Sequence, residues 1–481
     1  MVRIFKRTQW LRFLSILISI PCVIGVSTVS AYAESPPAPL LQKGASPVDW
    51  WFVFKFNTKF FPGCVANAKR ACIFGGKIQD YPKNFGLQSI SASSANPTLH
   101  NDNGCLGEST ADPIGATFDE IYNGTYSYVI WNDQFYDDPD LPACKGKTFC
   151  DVPWGHSKGV LAWNDQGEGL VMQVSTPNWP GSGSASFPRS NGNTLGCLTD
   201  NTGKPQNNVW VSQHFFALKL NKSDVMAVLR ALQQASVVTQ AGAGLGSKSQ
   251  IIRNGGPDDI QKLVSELGKV SDDTSVLNVT LSSGVRIISK PPNLQVPPWQ
   301  MVSAVLGGVP LTVATWLTGS HKIDDTKSVR PECWDPTLGT PGAVTNADTG
   351  TWTKKVFGLT GGPSPDRNHA KIGVSTPAKY AIFGDLNQEG TLSKPCTVSQ
   401  NTRGGMFFAV ENETLSASLG KMMDVDEALK LAFVSAARFS SVQSLTQTSA
   451  KADTQLVKHT TRPAAQRHKT QQAKQRHKVR R

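Results

Sequence analysis

Gly155-His156-Ser157-Lys158-Gly159-Val160-Leu161-Ala162-Trp163 and, far downstream, His369-Ala370-Lys371-Ile372-Gly373-Val374 write one short pattern twice: His-x-Lys leading into strand-forming residues. On a strand, residues i and i+2 share a face, so each copy offers an imidazole and an ammonium to the same small volume. One imidazole can attack phosphorus, the other can protonate the departing oxygen, and the two lysines can hold charge on the phosphoryl oxygens. This is a phosphodiester-cleaving set that requires no metal. A single His-x-Lys would carry little weight, because a tripeptide with one free position arises by chance.

The surroundings of the two copies share a grammar. The first is followed by Val171-Met172-Gln173-Val174-Ser175-Thr176-Pro177-Asn178-Trp179-Pro180, the second by Ala381-Ile382-Phe383-Gly384-Asp385-Leu386-Asn387-Gln388 and then Arg403-Gly404-Gly405. In each, a second strand leads to an Asn-bearing loop. The spacing is too long for a solenoid repeat and suits two domain-sized halves, each long enough to bury a core.

The chain reads as α/β. Strands are expected at 49–56, 126–131, 159–163, 170–174, 380–383 and 405–411, which are rich in β-branched and aromatic residues. Helices are expected at 223–238, at 257–267 with Pro257 at the start, and at 424–440. Val225, Val228, Leu229 and Leu232 have the spacing of a buried helical stripe. The Gly- and Ser-rich run 240–249 marks a joint, giving an N-terminal lobe at 34–240 and a C-terminal lobe at 241–443.

Two appendages flank this body. Arg3, Lys6, Arg7 and Arg12 precede an apolar stretch from Phe13 to Val26 and then Ala31-Tyr32-Ala33, so residues 1–33 read as a signal peptide. The apolar stretch is short and broken by Pro21 and Gly25, which argues against a membrane anchor. Residues 444–481 are rich in Gln, Lys, Arg and His with almost no large apolar residue, and read as a disordered basic tail able to contact phosphates. The formal net charge is +12; setting aside the four positives of the leader and the net nine of residues 451–481 leaves the body at −1. Whole-domain charge therefore does not explain nucleic-acid binding, and a local cleft built from Lys158, Lys371 and Arg403 must. Histidines charging below roughly pH 6.5 would add to it and fit an acid-favouring enzyme.

Beyond the leader stand eight cysteines, an even number that suits disulfides in an oxidising compartment and allows 105 connectivities. Cys64 with Cys72 and Cys144 with Cys150 are close enough to staple loops. No C-x2-C pair occurs, so a zinc site is not expected. No G-x-S-x-G elbow occurs either. His100 lies in a polar loop and reads as solvent-facing. His214, among Trp210, Phe215 and Phe216, reads as a core histidine, and Asp385 as a residue that orients an active-site His or caps a turn.

In these blocks the chain resembles deoxyribonuclease II, an acid endonuclease family of the phospholipase D-like superfamily. The resemblance lies in the Gly-His-Ser-Lys-Gly-Val-Leu block, Ser175-x-Pro177-Asn178-x-Pro180, the second His-x-Lys, Ser46-Pro47-Val48-Asp49-Trp50-Trp51, Tyr126 to Gln134, and Gly384-Asp385-Leu386-Asn387 with Arg403-Gly404-Gly405. It runs from about residue 46 to about residue 410. The wider superfamily places an Asp five residues after the Lys; Trp163 and Thr376 stand there, as in the deoxyribonuclease branch. Cysteines that relatives carry before the Pro-Val-Asp-Trp block and after the second His-x-Lys are missing, so their disulfide pattern is not transferred.

The resemblance implies two phospholipase D-like lobes in a pseudo-dimer, each a mixed β-sheet flanked by helices. It further implies a secreted, periplasmic or acid-organelle endodeoxyribonuclease acting without metal or cofactor through a phosphohistidine, leaving 3′-phosphate and 5′-hydroxyl ends. His156 would be the nucleophile and His369 the general acid, with Lys158 and Lys371 on the non-bridging oxygens and Asn178, Asn387 and Arg403 as further substrate ligands. DNA is the expected partner, and a homodimer is open to the chain. RNA or lipid head groups as substrates, or an inactive polyanion-binding role, are the alternatives these motifs leave.

Overall fold

The computed structural model describes residues 35–62, 88–102, 106, 110–134, 149–177, 210–239 and 251–425. The expected leader, the Cys64–Cys72 staple, Cys144, Asn178, the 240–249 joint, the helix from 424 beyond its first two residues, and the basic tail lie outside the described residues. Residues Met1–Ser35 separate as one unit, and Pro36–Arg481 form a second, compact one.

The second unit is a mixed α/β structure around two large sheets. Strands β1 (Trp50–Lys55), β2 (Ser89–Ser93), β3 (His100–Asn101), β4 (Ser127–Asn132), β5 (Lys158–Trp163), β6 (Gly169–Val174), β7 (Gln213–Leu220) and β8 (Ile252–Arg253) build the first. Its order is β3-β2-β1-β7-β6-β5-β4-β8. Strands β9 (Leu277–Thr280), β10 (Arg286–Lys290), β11 (Leu311–Ala314) and β12 (Val344–Asn346) join the second sheet. A separate hairpin, β13 (Thr349–Trp352) with β14 (Lys355–Gly358), precedes its remaining strands, β15 (Ile372–Ser375), β16 (Tyr380–Gly384) and β17 (Gly405–Glu411). The second sheet runs β12-β11-β15-β16-β17-β10-β9. Every pairing of the first sheet is antiparallel among the described residues; the second is mixed, with β11 and β12 parallel.

Five strands of each sheet follow one plan. The run β1-β7-β6-β5-β4 in the first matches β10-β17-β16-β15-β11 in the second, with the same chain order and antiparallel throughout. Helix α1 (Pro113–Asn123) precedes β4 and α2 (Lys222–Gln234) follows β7. After α3 (Asp258–Ser265), α4 (Pro298–Val305) precedes β11 and α5 (Glu413–Met422) follows β17 in the same way.

Burial divides the strand faces by their period of two. In β1, Trp51 and Val53 pack outward with Ile114 and Phe118 of α1, while Trp50, Phe52 and Phe54 face a central core shared with the second sheet. Phe383 of β16 stacks on Phe52 at 4.5 Å and on Phe216 at 4.6 Å, joining the sheets ring to ring. On the far side of the second sheet, Trp299 and Met301 of α4 pack with Ile288, Ile382 and Phe407. Local signals fix the helix starts: Asp112 accepts the N–H groups of Ile114 and Gly115 ahead of Pro113, and Asn221 with Asp224 forms a capping box.

The expected strands are present with ends shifted by a residue or so, as are the helices expected at 223–238 and 257–267, both shorter than expected. The readings differ at β2, β3, β7, the strands from β8 to β15, and the helices α1, α4 and α5, none of which was anticipated as an element. In β7 the buried polar residues Gln213 and His214 open the strand, Gln213 accepting from Ser175 Oγ and His214 from the Lys371 N–H. One expectation is corrected: the His-x-Lys histidines do not lie on strands. β5 begins at Lys158 and β15 only after Lys371. Each histidine N–H leaves its own ladder to bond the other half, His156 to Gly404 O and His369 to Ser212 O, both at 2.8 Å.

Candidate active site

The ends of β5 and β15 bring both motifs into one buried, electrostatically coupled volume. His156, Lys158, His369 and Lys371 are all buried. The charge of Lys371 is felt at His156, and those of Lys158 and His156 at His369.

Both rings are held crosswise. His156 Nδ1 lies 3.0 Å from Oε1 of Gln400, in the turn at 399–402 before β17. His369 Nδ1 lies 2.8 Å from the carbonyl of Ser175, just past β6. Carbonyl oxygens only accept, so Nδ1 carries the proton in each ring and Nε2 keeps the lone pair. Trp316 sets its ring against His369, edge to face at 5.0 Å.

The lysines differ in their partners. Lys158 Nζ forms a buried ion pair with Asp133 Oδ1 at 2.5 Å. Lys371 Nζ donates to its own motif's His369 O at 2.7 Å and lies 3.2 Å from that ring's Nδ1. Behind it, His214 Nδ1 accepts the Lys371 backbone N–H at 3.1 Å, and His214 Nε2 lies 3.4 Å from Gln173 Oε1. Gln173 Nε2 in turn donates to Asp385 Oδ1 at 3.0 Å, while Asp385 Oδ2 accepts from Met406 N at 2.9 Å. Asp385 therefore orients neither motif histidine; it holds Gln173, which backs His214. His214 is a core histidine, as expected, and also a seat for Lys371.

The other expected residues fall as follows. Arg403 spends its guanidinium on protein: Nε donates to Trp154 O at 2.7 Å, and Nη2 to Asp133 Oδ2 at 2.8 Å and to the carbonyls of Cys150 and Gly155. Asn387 donates to Glu389 Oε2 at 3.3 Å and leaves its own Oδ1 buried without a partner. His100 is exposed on the edge strand β3. A surface cleft of about 600 Å³, lined by Asp151, Pro292, His321, Ser399 and Thr402 among others, flanks the Gln400 turn.

The fields of the site act in one direction on its bases. Burial, then Lys158, Arg403 and Lys371, hold the His156 imidazole well below its ordinary range; burial, then Lys371, Lys158 and His156, do the same at His369. Against the expectation that these histidines charge just below pH 6.5, burial and the neighbouring cations push both toward the neutral form in the free site. Lys371 is also held well below the usual lysine range, by burial first and Lys158 next. Burial pushes the Asp385 carboxyl up to about 6. Two basic nitrogens and two amines thus share a buried volume that disfavours further positive charge.

Asp133 and Gln400 are the partners that sequence reasoning missed. Asp133 was within reach, since Asn132 at the end of β4 pairs with Lys158 at the start of β5. Gln400 sits in a turn with no periodic pattern to flag it.

Two imidazoles and two amines, all buried, thus meet where strands of the two sheets begin, a set of groups suited to anionic ester chemistry. The family model described as Deoxyribonuclease II matches residues 41–428, and the chain belongs to that family. It is accordingly a deoxyribonuclease, a hydrolase of the endonuclease type. No curated protein matches the chain. No helix among the described residues is long and apolar enough to cross a membrane. Cys333 and Cys396 form a disulfide that sequence spacing did not suggest, and Cys150 is disulfide-bonded.

Proposed function

We propose that the protein is a secreted, metal-independent acid endonuclease that works through a phosphohistidine. The observation carrying this reading is the crosswise tethering of both Nδ1 atoms, which leaves the two Nε2 atoms, that of His369 3.5 Å from Lys371 Nζ, in one buried cationic volume. His156 Nε2 attacks phosphorus, the bond from phosphorus to the 5′-oxygen breaks, and His369, protonated once the phosphodiester anion has entered, gives its proton to that oxygen. Water, deprotonated by His369, then breaks the bond between nitrogen and phosphorus, leaving a 3′-phosphate and restoring His156. Lys158 and Lys371 hold the non-bridging oxygens, and the burial that holds Lys371 below its ordinary range is relieved when an anion enters beside it. Asn178 and Asn387 complete the phosphate ligands, and Arg403 acts mainly by fixing Asp133 against Lys158.

Metal independence is supported by the donor set. Both oxygens of Asp133 are taken by Lys158 and Arg403, and those of Asp385 by Gln173 and Met406 N. The matching strand plans support reading the two sheets as the halves of a phospholipase D-like pseudo-dimer, with lobes at 34–240 and 241–443 save that β8, from the start of the second range, joins the first sheet. Secretion is supported by the leader sequence and by the Cys333–Cys396 disulfide.

The test is plasmid digestion at about pH 5 in excess EDTA. Wild type should nick DNA while His156→Ala and His369→Ala do not, and a phosphorylated peptide should map to His156. Cleavage that disappears in EDTA and returns with added cation, or label on His369 alone, would overturn the corresponding part.

A further inference from the structure

Two lysines away from the reacting groups are fully buried, and the repeated strand plan makes them equivalent. Lys55 ends β1 and stands opposite Gln213; Lys290 ends β10 and stands opposite Gly405. By that register, Val211 and Ser212 correspond to Arg403 and Gly404. Lys55 Nζ donates to Val211 O at 2.7 Å and to Phe56 O at 3.0 Å. Lys290 Nζ donates to Arg403 O at 3.0 Å, to Asn401 O at 2.7 Å and to Pro291 O at 3.4 Å. The next carbonyl along each loop, that of Ser212 or Gly404, accepts the N–H of His369 or His156.

We propose that Lys55 and Lys290 are a matched pair of positioning residues, each clamping the loop of its own sheet from which the histidine of the other half is suspended. The inference rests on the nuclease reading above. An ammonium suits the task because one atom directs three donors and can gather carbonyls that would otherwise be left buried and unpaired. Burial pushes both lysines down to about 7. An apolar chain of similar length would avoid that desolvation. Two such amines at equivalent positions, each ending on the loop that carries a histidine's anchor, answer to the loops rather than to the core.

The test replaces each lysine in the full chain, Lys55→Met and Lys290→Met, with folding checked by near-UV circular dichroism. In the folded variants kcat should fall about tenfold to a hundredfold with KM unchanged. Imidazole nitrogen resonances should move in a crossed pattern, His369 in Lys55→Met and His156 in Lys290→Met. Wild-type kcat in a folded variant, or equal movement of both histidines, would overturn the proposal. If a Met variant does not fold, Lys55→Gln or Lys290→Gln, one bond shorter but still a donor, is judged by the same two readouts. If wild type fails to cleave DNA, the nuclease reading falls, and the crossed resonance pattern alone decides for or against the lysines.

Discussion

The backbone N–H of Lys371 ends on Nδ1 of His214, 3.1 Å away, so the second motif's lysine is seated on a residue of the first sheet. His214→Phe keeps the ring volume and removes the acceptor. A buried N–H left unpaired should cost about 1–3 kcal/mol, measured by denaturant unfolding at pH 7.5. The penalty should shrink at lower pH. Burial, then Lys371, hold His214 well below its ordinary value, so as pH falls below about 6.5 the unfolded chain takes up a proton that the folded chain refuses, and wild type loses stability that the Phe variant keeps. A penalty that grows toward pH 5 would contradict the assignment.

Asp133 carries both Lys158 and Arg403, with side-chain exposures of 2%, 4% and 8%. Asp133→Asn leaves two buried cations sharing a neutral amide. A loss of roughly 3–5 kcal/mol is expected, since breaking a buried pair strands its partner. Thermal and urea unfolding check this, and a loss below 1 kcal/mol would mean that the cations are hydrated instead.

Gln400 fixes the His156 ring through one oxygen. In Gln400→Leu the ring loses its reason to keep the proton on Nδ1, so kcat should drop about tenfold to a hundredfold while DNA affinity holds. Single-turnover cleavage with a parallel binding isotherm separates the two effects.

Cys333 and Cys396 close a loop across 63 positions. Replacing both by Ser should lower stability by about 4 kcal/mol by loop-entropy arithmetic, with kcat at saturating DNA unchanged in the folded fraction. A fall in kcat without a shift in the unfolding midpoint would place the bridge in the catalytic apparatus.

Much of this was legible in the chain. The two His-x-Lys motifs and the β-branched runs beside them located β5, β6, β16 and β17, because strand propensity and burial agree there. β7 was obscured because it opens on two buried polar residues, Gln213 and His214, the second of which seats Lys371, and α4 because a nearly all-apolar octamer has no helical period to read. Asp133 and Arg403 stand 270 residues apart in the chain and meet only once the strands beside them, β4 and β17, have been placed in two different sheets, a meeting that no local pattern encodes. The acid-base state of the histidines was misjudged for the same reason: an imidazole's ordinary value says nothing of the cations that folding gathers around it.

His156 takes both its ring partner and its backbone partner from residues 400 and 404, near the far end of the folded chain. During synthesis the first His-x-Lys leaves the ribosome some 240 residues ahead of the groups that aim it. A growing or truncated chain that ends before Gln400 therefore carries a complete first motif without the ring and backbone partners that hold its histidine.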